Sequence, residues 1–238
     1  MADSPDPVPD RRAQAAVVRM DGRRAEPRRQ AITASVVRAV ALGICLAALV
    51  SCGGTGSPST TASPPAGIPA SPATTAAGRT TAPPWPAPTD PAARVRAAGL
   101  PMLGEEGNVL HFHTHLDVLA DGKPVVVPAD IGIDLQTDQI SPLHSHDTDG
   151  VIHVESPVKA DFSLGQFMTE WGVALTQDSI GGLKAGNGNT LRAYINGKPY
   201  TGNPAAIILK EHDEIALVYG PTDQSTKVPS TYDWPPGE

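Results

Sequence analysis

A histidine occupies every second position of residues 110–118, which read Leu110-His111-Phe112-His113-Thr114-His115-Leu116-Asp117-Val118. On a β-strand, alternate side chains point to the same face of the sheet. The three histidines and Asp117 would therefore share one polar face, while the apolar residues between them face a core. The stretch predicts a strand that is buried on one side and carries metal-ligand side chains on the other.

Two later segments continue this pattern. One reads Leu143-His144-Ser145-His146-Asp147, and the other reads Val151-Ile152-His153-Val154-Glu155. Six of the seven histidines of the chain thus lie between positions 111 and 153. A His-x-His pair on a strand places two imidazoles side by side, so that one cation can bind both. We therefore predict a divalent-metal site.

The preferred ligands of this site are the members of two His-x-His pairs: His113, His115, His144 and His146. His153 is a further candidate, and His111 is the least certain because it begins the strand. Three carboxylates would orient the rings from a second shell: Glu155, Asp117 and Asp147. The alternative is a solvated polar surface, or histidines that bond to the backbone in a tight turn.

The absence of free thiols narrows the choice of metal. Imidazole nitrogen suits Zn²⁺ and Cu²⁺, whereas a blue-copper centre needs cysteine and a Cu⁺ carrier usually needs sulfur. The only cysteines are Cys45 and Cys52, and neither is expected to remain free. We expect Zn²⁺ or Cu²⁺. A calcium loop around Asp130, Asp134 and Asp138 is an alternative, but this segment has no EF-hand pattern.

Three classes of function are compatible with these residues. The first is a binding module that captures, buffers or senses a divalent metal. The second is a metal-dependent hydrolase or other metalloenzyme using zinc-bound hydroxide, with Glu155 or Asp147 as base. The third is an interaction domain with a pH-responsive histidine surface. We favour the first and assign no catalytic residue, because no nucleophile is placed beside a base.

The N-terminal residues have the pattern of an export signal. Residues 1–38 contain eight arginines and no lysine, and an apolar run follows over residues 39–50. A basic region, a short apolar region and small residues at its end are typical of a secretory signal. The segment Leu49-Val50-Ser51-Cys52 resembles the lipobox of bacterial lipoproteins. This resemblance implies a signal peptide over 1–51, lipidation of Cys52 and anchoring on the extracytoplasmic face of the cell membrane.

Composition divides the remaining chain. Residues 52–89 are rich in Pro, Ser, Thr and Ala and predict a disordered linker. A folded domain is expected over 90–221, followed by a polar tail over 222–238. Eight of the 18 basic and five of the 25 acidic residues precede Cys52, which leaves 10 against 20 in the mature chain. This negative balance argues against nucleic acid as a partner; no protein partner is indicated.

Short-range signals predict an α+β fold with a mixed sheet and one main helix. Asp121-Gly122 and Asn196-Gly197 favour tight hairpins, a third strand is expected over 150–156, and Ser163 with Gln166 forms a capping box for a helix to Trp171. Residues 207–209 and 214–219 would finish the sheet.

The order of these elements is that of the β-grasp arrangement, and residues 209–217 resemble the last hairpin of ubiquitin-like sulfur carriers. Those carriers end in Gly-Gly. Here Pro221 follows Gly220, so the resemblance does not extend to carrier chemistry. The histidine pattern as a whole resembles a group of extracytoplasmic bacterial proteins, and this resemblance implies no function.

Overall fold

The computed structural model describes residues 67–222 and 226–236. Its strands, in chain order, are β1 (Leu110–Ala120), β2 (Lys123–Val125), β3 (Ile133–Asp134), β4 (Gln139–Ile140), β5 (Leu143–His144), β6 (Val151–Ser156), β7 (Ser179–Ile180), β8 (Leu183–Lys184), β9 (Asn189–Ile195), β10 (Lys198–Tyr200) and β11 (Glu214–Pro221). Its helices are α1 (Pro91–Ala97), α2 (Leu164–Trp171) and a 3₁₀ turn over Pro204–Ala206.

Seven of the strands form one mixed sheet in the order β10-β9-β11-β1-β6-β5, and β2 pairs with the end of β1. The first and last strands, β1 and β11, lie side by side and are parallel, while β6 and β9 flank them antiparallel. The chain crosses from β6 to β9 through α2. This is the β-grasp order, so the predicted α+β fold with a mixed sheet and one main helix is confirmed.

Helix α2 forms where the capping box predicts it. The Ser163 side chain accepts a hydrogen bond from the Gln166 amide, and the Gln166 side chain accepts one from the Ser163 amide. Gly172 ends the helix with φ 73°, in the left-handed region that glycine adopts at little cost. Every residue of α2 is buried, and Phe167 and Trp171 pack with β1 residues in one apolar core.

The two predicted hairpin turns are confirmed by their backbone angles. Asp121 and Gly122 have φ values of 50° and 76°, and Asn196 and Gly197 have 52° and 73°. Two consecutive positive φ angles define the type I′ turn, whose twist matches that of the flanking strands. These turns set the register of β1 with β2 and of β9 with β10.

Residues 67–89, which composition assigned to the disordered linker, pack against the domain. Trp85 is 2% exposed, its ring meets that of Trp171 edge-on, and its carbonyl accepts a hydrogen bond from the Trp171 indole. Ala76 and Arg79 make isolated bridges to residues 175 and 173. The packed region therefore begins before residue 90, because one large aromatic side chain ties a Pro-rich segment to the core.

Other local predictions are corrected by the structure. Residues 207–209 do not form a strand; Ile208 makes only an isolated bridge to Ser163. Two short hairpins, β3–β4 and β7–β8, form in segments for which the sequence predicted no strand. The predicted signal peptide and Cys52 lie outside the described residues. Within residues 67–222 and 226–236, the helices are too short or too polar to cross a bilayer.

Candidate metal centre

Three neighbouring strands bring most of the predicted ligands together. In the register of β1 with β6, His113 lies opposite His153 and His111 lies opposite Glu155. In the register of β5 with β6, His144 also lies opposite His153. Residues directly opposite on paired strands point to the same face. The pairing therefore aligns a row of three histidines across β5, β6 and β1, with Glu155 and His111 in the next row.

The imidazole rings in these rows are in contact. Ring centroids are 4.5 Å apart for His113 and His153, 5.1 Å for His144 and His153, and 4.6 Å for His146 and His153. His111 meets His113 at 5.2 Å, and His144 meets His146 at 4.8 Å. We call these five residues and Glu155 the histidine cluster. His153 lies at its centre.

Two sets of three side chains within the cluster have convergent ligand atoms. One set is His144, His146 and His153, and the other is His111, His113 and Glu155; in each, the ligand atoms lie within 4.8 Å of one another. Ligand atoms on a tetrahedral zinc are about 3.4 Å apart, given Zn–N bonds of about 2.0–2.1 Å. Either set can thus hold a metal ion after modest ring rotations.

Glu155 is a buried carboxylate surrounded by imidazoles. Its side chain is 3% exposed, and its Oε1 lies 3.3 Å from His153 Nδ1, 3.4 Å from His111 Nε2 and 3.9 Å from His144 Nε2. Burial raises its pKa, but the hydrogen bond from His153 and the neighbouring histidines outweigh this and lower the pKa below its usual value. The group is ionised, and its buried Oε2 has no hydrogen-bond partner among the described residues.

His144 is held as a neutral ring with a defined tautomer. It is fully buried, and this burial lowers its pKa to about 3. Its Nδ1 donates to the Ser141 carbonyl at 3.0 Å, so Nε2 carries a lone pair. This buried Nε2 has no hydrogen-bond partner among the described residues and faces the Glu155 carboxylate. A lone pair turned towards a buried anion is unfavourable unless a cation lies between them.

Ser141, whose carbonyl accepts the hydrogen bond that fixes this tautomer, is itself held by two further hydrogen bonds. Its hydroxyl donates to the buried Glu170 carboxyl at 2.6 Å and accepts from the Leu143 amide. Burial raises the pKa of Glu170 well above its ordinary value, which favours the protonated carboxyl. Supporting hydrogen bonds of this kind set the orientation of metal-binding imidazoles. Ser145, between the two histidines, instead donates to the Pro128 carbonyl.

The structure places His115 apart from the histidine cluster. Its Nδ1 is 2.7 Å from Glu214 Oε2, and its Nε2 is 2.7 Å from the Asp149 carbonyl oxygen. The Asp149 carbonyl requires an N–H at Nε2, and the raised pKa of His115 favours a second proton at Nδ1, which Glu214 accepts; burial also raises the pKa of Glu214. Burial lowers its pKa, but Glu214 and the Asp149 carbonyl outweigh this and raise it. The Tyr232 ring stacks on this imidazole at 4.0 Å. His115, Asp117 and Glu214 also form a convergent set, but both ring nitrogens of His115 already have hydrogen-bond partners, so we assign this ring to an ion pair with Glu214.

The carboxylates predicted to orient the histidine rings are distributed between the histidine cluster and the surroundings of His115. Glu155 lies within the cluster, whereas Asp117 lies 4.0 Å from His115 Nδ1. Asp147 is exposed in the loop after His146. His212, the one histidine outside residues 111–153, is an exposed turn residue with φ 59°.

Sequence reasoning missed two glutamates. Glu106 lies 3.9 Å from His146 Nε2 and forms a convergent set with His144 and Glu155. It is brought there because Gly107 lies against β6, where an added Cβ would be 2.1 Å from the Ser156 backbone; no sequence signal indicated this contact. Glu214 lies opposite His115 in the parallel register of β1 with β11, and the β-grasp order was the signal that could have found it.

An acidic cleft of about 440 Å³ lies beside His146. Its lining carboxylates are Glu105, Glu106, Asp130, Asp134 and Asp138. The aspartates of the calcium alternative thus line a cleft, but the convergent ligand sets among the described residues all include a histidine. The fold and this site define an α+β protein with histidine–glutamate sets that can hold a metal ion. Comparisons with family models, curated protein sequences and solved structures gave no match.

Proposed function

We propose that this protein is a lipid-anchored, extracytoplasmic module that binds a divalent cation in order to capture, buffer or sense it. One observation carries the proposal. His144, His146 and His153 converge, while the buried His144 Nε2 and Glu155 Oε2 have no hydrogen-bond partners among the described residues. Buried polar atoms are almost always paired. A cation bound between them would satisfy both.

The donor set favours Zn²⁺ or Cu²⁺. The cluster offers imidazole nitrogens and a carboxylate, which suit these ions, and offers no sulfur ligand. Ca²⁺ and Mg²⁺ prefer shells made of oxygen. The proposed lipid on Cys52 would consume one of the two cysteines, and cleavage before it would remove Cys45.

The binding proposal is tested with the full chain and metal salts alone. We expect stoichiometric uptake of Zn²⁺ or Cu²⁺ by equilibrium dialysis and elemental analysis. The double substitution His113→Ala with His144→Ala should abolish uptake, and His212→Ala should leave it unchanged. Circular dichroism of the metal-free variants checks folding, and a metal-dependent rise in the wild-type melting temperature gives an independent readout. Unchanged uptake in the folded double variant would refute the proposal.

Anchoring is tested separately in bacterial cells. We expect the chain to fractionate with membranes and to incorporate a labelled fatty acid, and Cys52→Ser should remove both properties. Cys45→Ser is the matched control, because it lies within the proposed leader and should leave both unchanged. Soluble, unlabelled wild-type protein would contradict the proposed anchor without affecting the metal site.

The acidic cleft favours one second candidate, a metal-dependent hydrolase. Three imidazoles with an open fourth position are typical of catalytic zinc, whereas four protein ligands are typical of structural zinc. His146 borders both the cluster and the cleft, so a substrate there would reach a bound ion. Hydrolysis of activated esters or phosphoesters by the zinc-loaded chain, lost in His146→Ala, would favour this candidate over a binding module.

A further inference from the structure

The histidine cluster contains more donors than one ion can use. Five imidazoles and Glu155 offer six ligand groups, whereas zinc in proteins is almost always four-coordinate. The convergent sets His144–His146–His153 and His111–His113–Glu155 have no member in common. A single cation bound by one set would leave the ligand groups of the other set uncoordinated.

The ring contacts do not close around a single point. His144, His146 and His153 contact one another, and a line of contacts runs from His153 through His113 to His111. Among the ring contacts of the described residues, His111 meets only His113. His111 at one end of the cluster and His146 at the other are both exposed, with 53% and 44% of their side chains accessible. The arrangement has two centres.

Glu155 lies at the junction of these two centres. Its Oε1 is 3.4 Å from His111 Nε2 in one set and 3.3 Å from His153 Nδ1 in the other. Its Oε2 is buried without a hydrogen-bond partner among the described residues. The ion pairs of this carboxylate, within the same residues, are with histidines alone. Burying an ionised carboxylate is costly unless cations compensate its charge, and here the histidines that could do so, or ions bound to them, lie on both of its sides.

From this geometry we infer a second divalent-cation subsite, formed by His111, His113 and Glu155 beside the first, with Glu155 shared between the two ions. The inference rests on the proposed metal-binding function and adds its stoichiometry. Two-metal sites in proteins hold their ions about 3.5–4 Å apart, a separation that one carboxylate spans with its two oxygens. The protein would bind two Zn²⁺ or two Cu²⁺ per chain.

The exposed ligand at each end gives a matched pair of variants. His111→Ala removes a donor from the second set and His146→Ala removes one from the first, and neither side chain is needed to fill the core. We expect two Zn²⁺ per wild-type chain by equilibrium dialysis and elemental analysis. Each variant should keep one tight ion and bind the other at least tenfold more weakly. His212→Ala, also exposed, should keep two.

Proximity of the two ions is measured with Cu²⁺ as the probe. Electron paramagnetic resonance of the full chain with two equivalents of Cu²⁺ should show dipolar coupling, including a half-field transition. His111→Ala with one bound equivalent should give only an uncoupled spectrum. Two uncoupled ions in the wild type would overturn the shared role of Glu155.

The stoichiometry separates this inference from the function on which it rests. One Zn²⁺ per wild-type chain, weakened by either variant, would overturn the second subsite and leave a single-ion module. Two ions that neither variant weakens would place them elsewhere and overturn it as well. No uptake by the wild type would refute the proposed function itself.

Discussion

His115 and His144 are both buried histidines of the same sheet, yet their surroundings shift their pKa values in opposite directions. His115 donates from both ring nitrogens, to Glu214 and to the Asp149 carbonyl, and its pKa is raised. His144 donates only from Nδ1, to the Ser141 carbonyl, and burial lowers its pKa to about 3. One ring is a charged structural partner, and the other keeps a lone pair for a ligand.

The difference originates in the strand that lies opposite each residue. His115 pairs with Glu214 of β11, which supplies a counter-charge. His144 pairs with His153 of β6, which supplies another nitrogen donor. Both residues belong to His-x-His motifs, so the motif alone does not identify a ligand. In the proposed site, the cross-strand neighbour distinguishes a buried histidine that pairs with a carboxylate from one that could bind a cation.

The largest expected effect comes from replacing the central ring of the cluster. His153→Ala removes a donor that contacts three other rings, so affinity for the first ion should fall by roughly 100-fold or more, beyond the 10–100-fold typical of a lost supporting contact. His115→Gln should leave affinity unchanged, because this ring lies in the ion pair. Titration against a chromophoric chelator measures both. Equal losses of metal affinity in His153→Ala and His115→Gln would contradict the assignment of His153 to the metal site and of His115 to a structural ion pair.

The same substitution in the two regions should act on different properties. Glu214→Gln breaks a buried ion pair, which costs about 3 kcal/mol of unfolding free energy, while the affinity of the folded protein for metal stays unchanged. Glu155→Gln should change the stability of the metal-free protein by less than about 1 kcal/mol, because its contacts with the imidazoles are 3.3 Å or longer and the amide removes the cost of a buried charge. It should, however, strongly weaken metal binding.

Urea unfolding with and without chelator, together with metal titration, resolves this pair of variants. Similar stability losses in both metal-free variants would contradict the assignment of His115 and Glu214 as the structural pair.

The two histidines should also give the unfolding free energy of the metal-free protein an acid limb, where it decreases as the pH is lowered, and an alkaline limb, where it decreases as the pH is raised. Below pH 6.5 His144 becomes protonated in the unfolded chain, whereas in the folded protein it stays neutral until about pH 3. The free energy of unfolding therefore decreases as the pH is lowered from 6.5 to about 3. His115 has a raised pKa; its contribution is fully present below 6.5 and is lost as pH rises through the folded value. Each limb has a limiting slope of about 1.4 kcal/mol per pH unit.

Urea unfolding of the chelator-treated protein across this pH range measures the limbs. His144→Gln should flatten the acid limb alone, and His115→Gln the alkaline limb alone. A variant that flattens the wrong limb, or both, would reverse the assigned protonation states.

The smallest effect is expected at the C-terminal segment. Tyr232 stacks on His115 at 4.0 Å and meets Trp234 edge-on. Such aromatic contacts are worth about 0.5–1.5 kcal/mol, so Tyr232→Ala should lower unfolding free energy by about 1 kcal/mol and shift the His115 ring resonances in NMR spectra. Metal affinity should not change. A loss of metal affinity would show that the segment acts on the histidine cluster instead.

Local signals were sufficient for much of the fold. The type I′ turns and the capping box of α2 each depend on residues within a few positions, and the structure has both. The alternating sequence also predicts strand β1, but its burial does not alternate, because the four consecutive residues 113–116 are all buried. Trp85 shows the limit of composition. A Pro-rich segment with one large apolar side chain can pack onto a core, and only the position of Trp171 reveals that it does.

The site was predictable as a set of residues but not in its arrangement. Six histidines lie close in sequence, between positions 111 and 153, and the structure brings five of them together with Glu155. His115 differs because its partner Glu214 is 99 positions away and enters through the parallel pairing of β1 with β11. Non-local register decides that partner, and alternation along one strand contains no information about it.

If Cys52 carries the proposed lipid, the burial of Trp85 also limits the distance between the folded domain and the bilayer. A free linker over residues 53–89 has 37 residues and a fully extended reach of about 130 Å. Because the packed region already includes residue 67, only the 14 residues 53–66 separate it from the proposed lipid on Cys52. They span at most about 50 Å. The histidine cluster would therefore draw its cations from the fluid bordering the membrane rather than from the outer layers of the envelope.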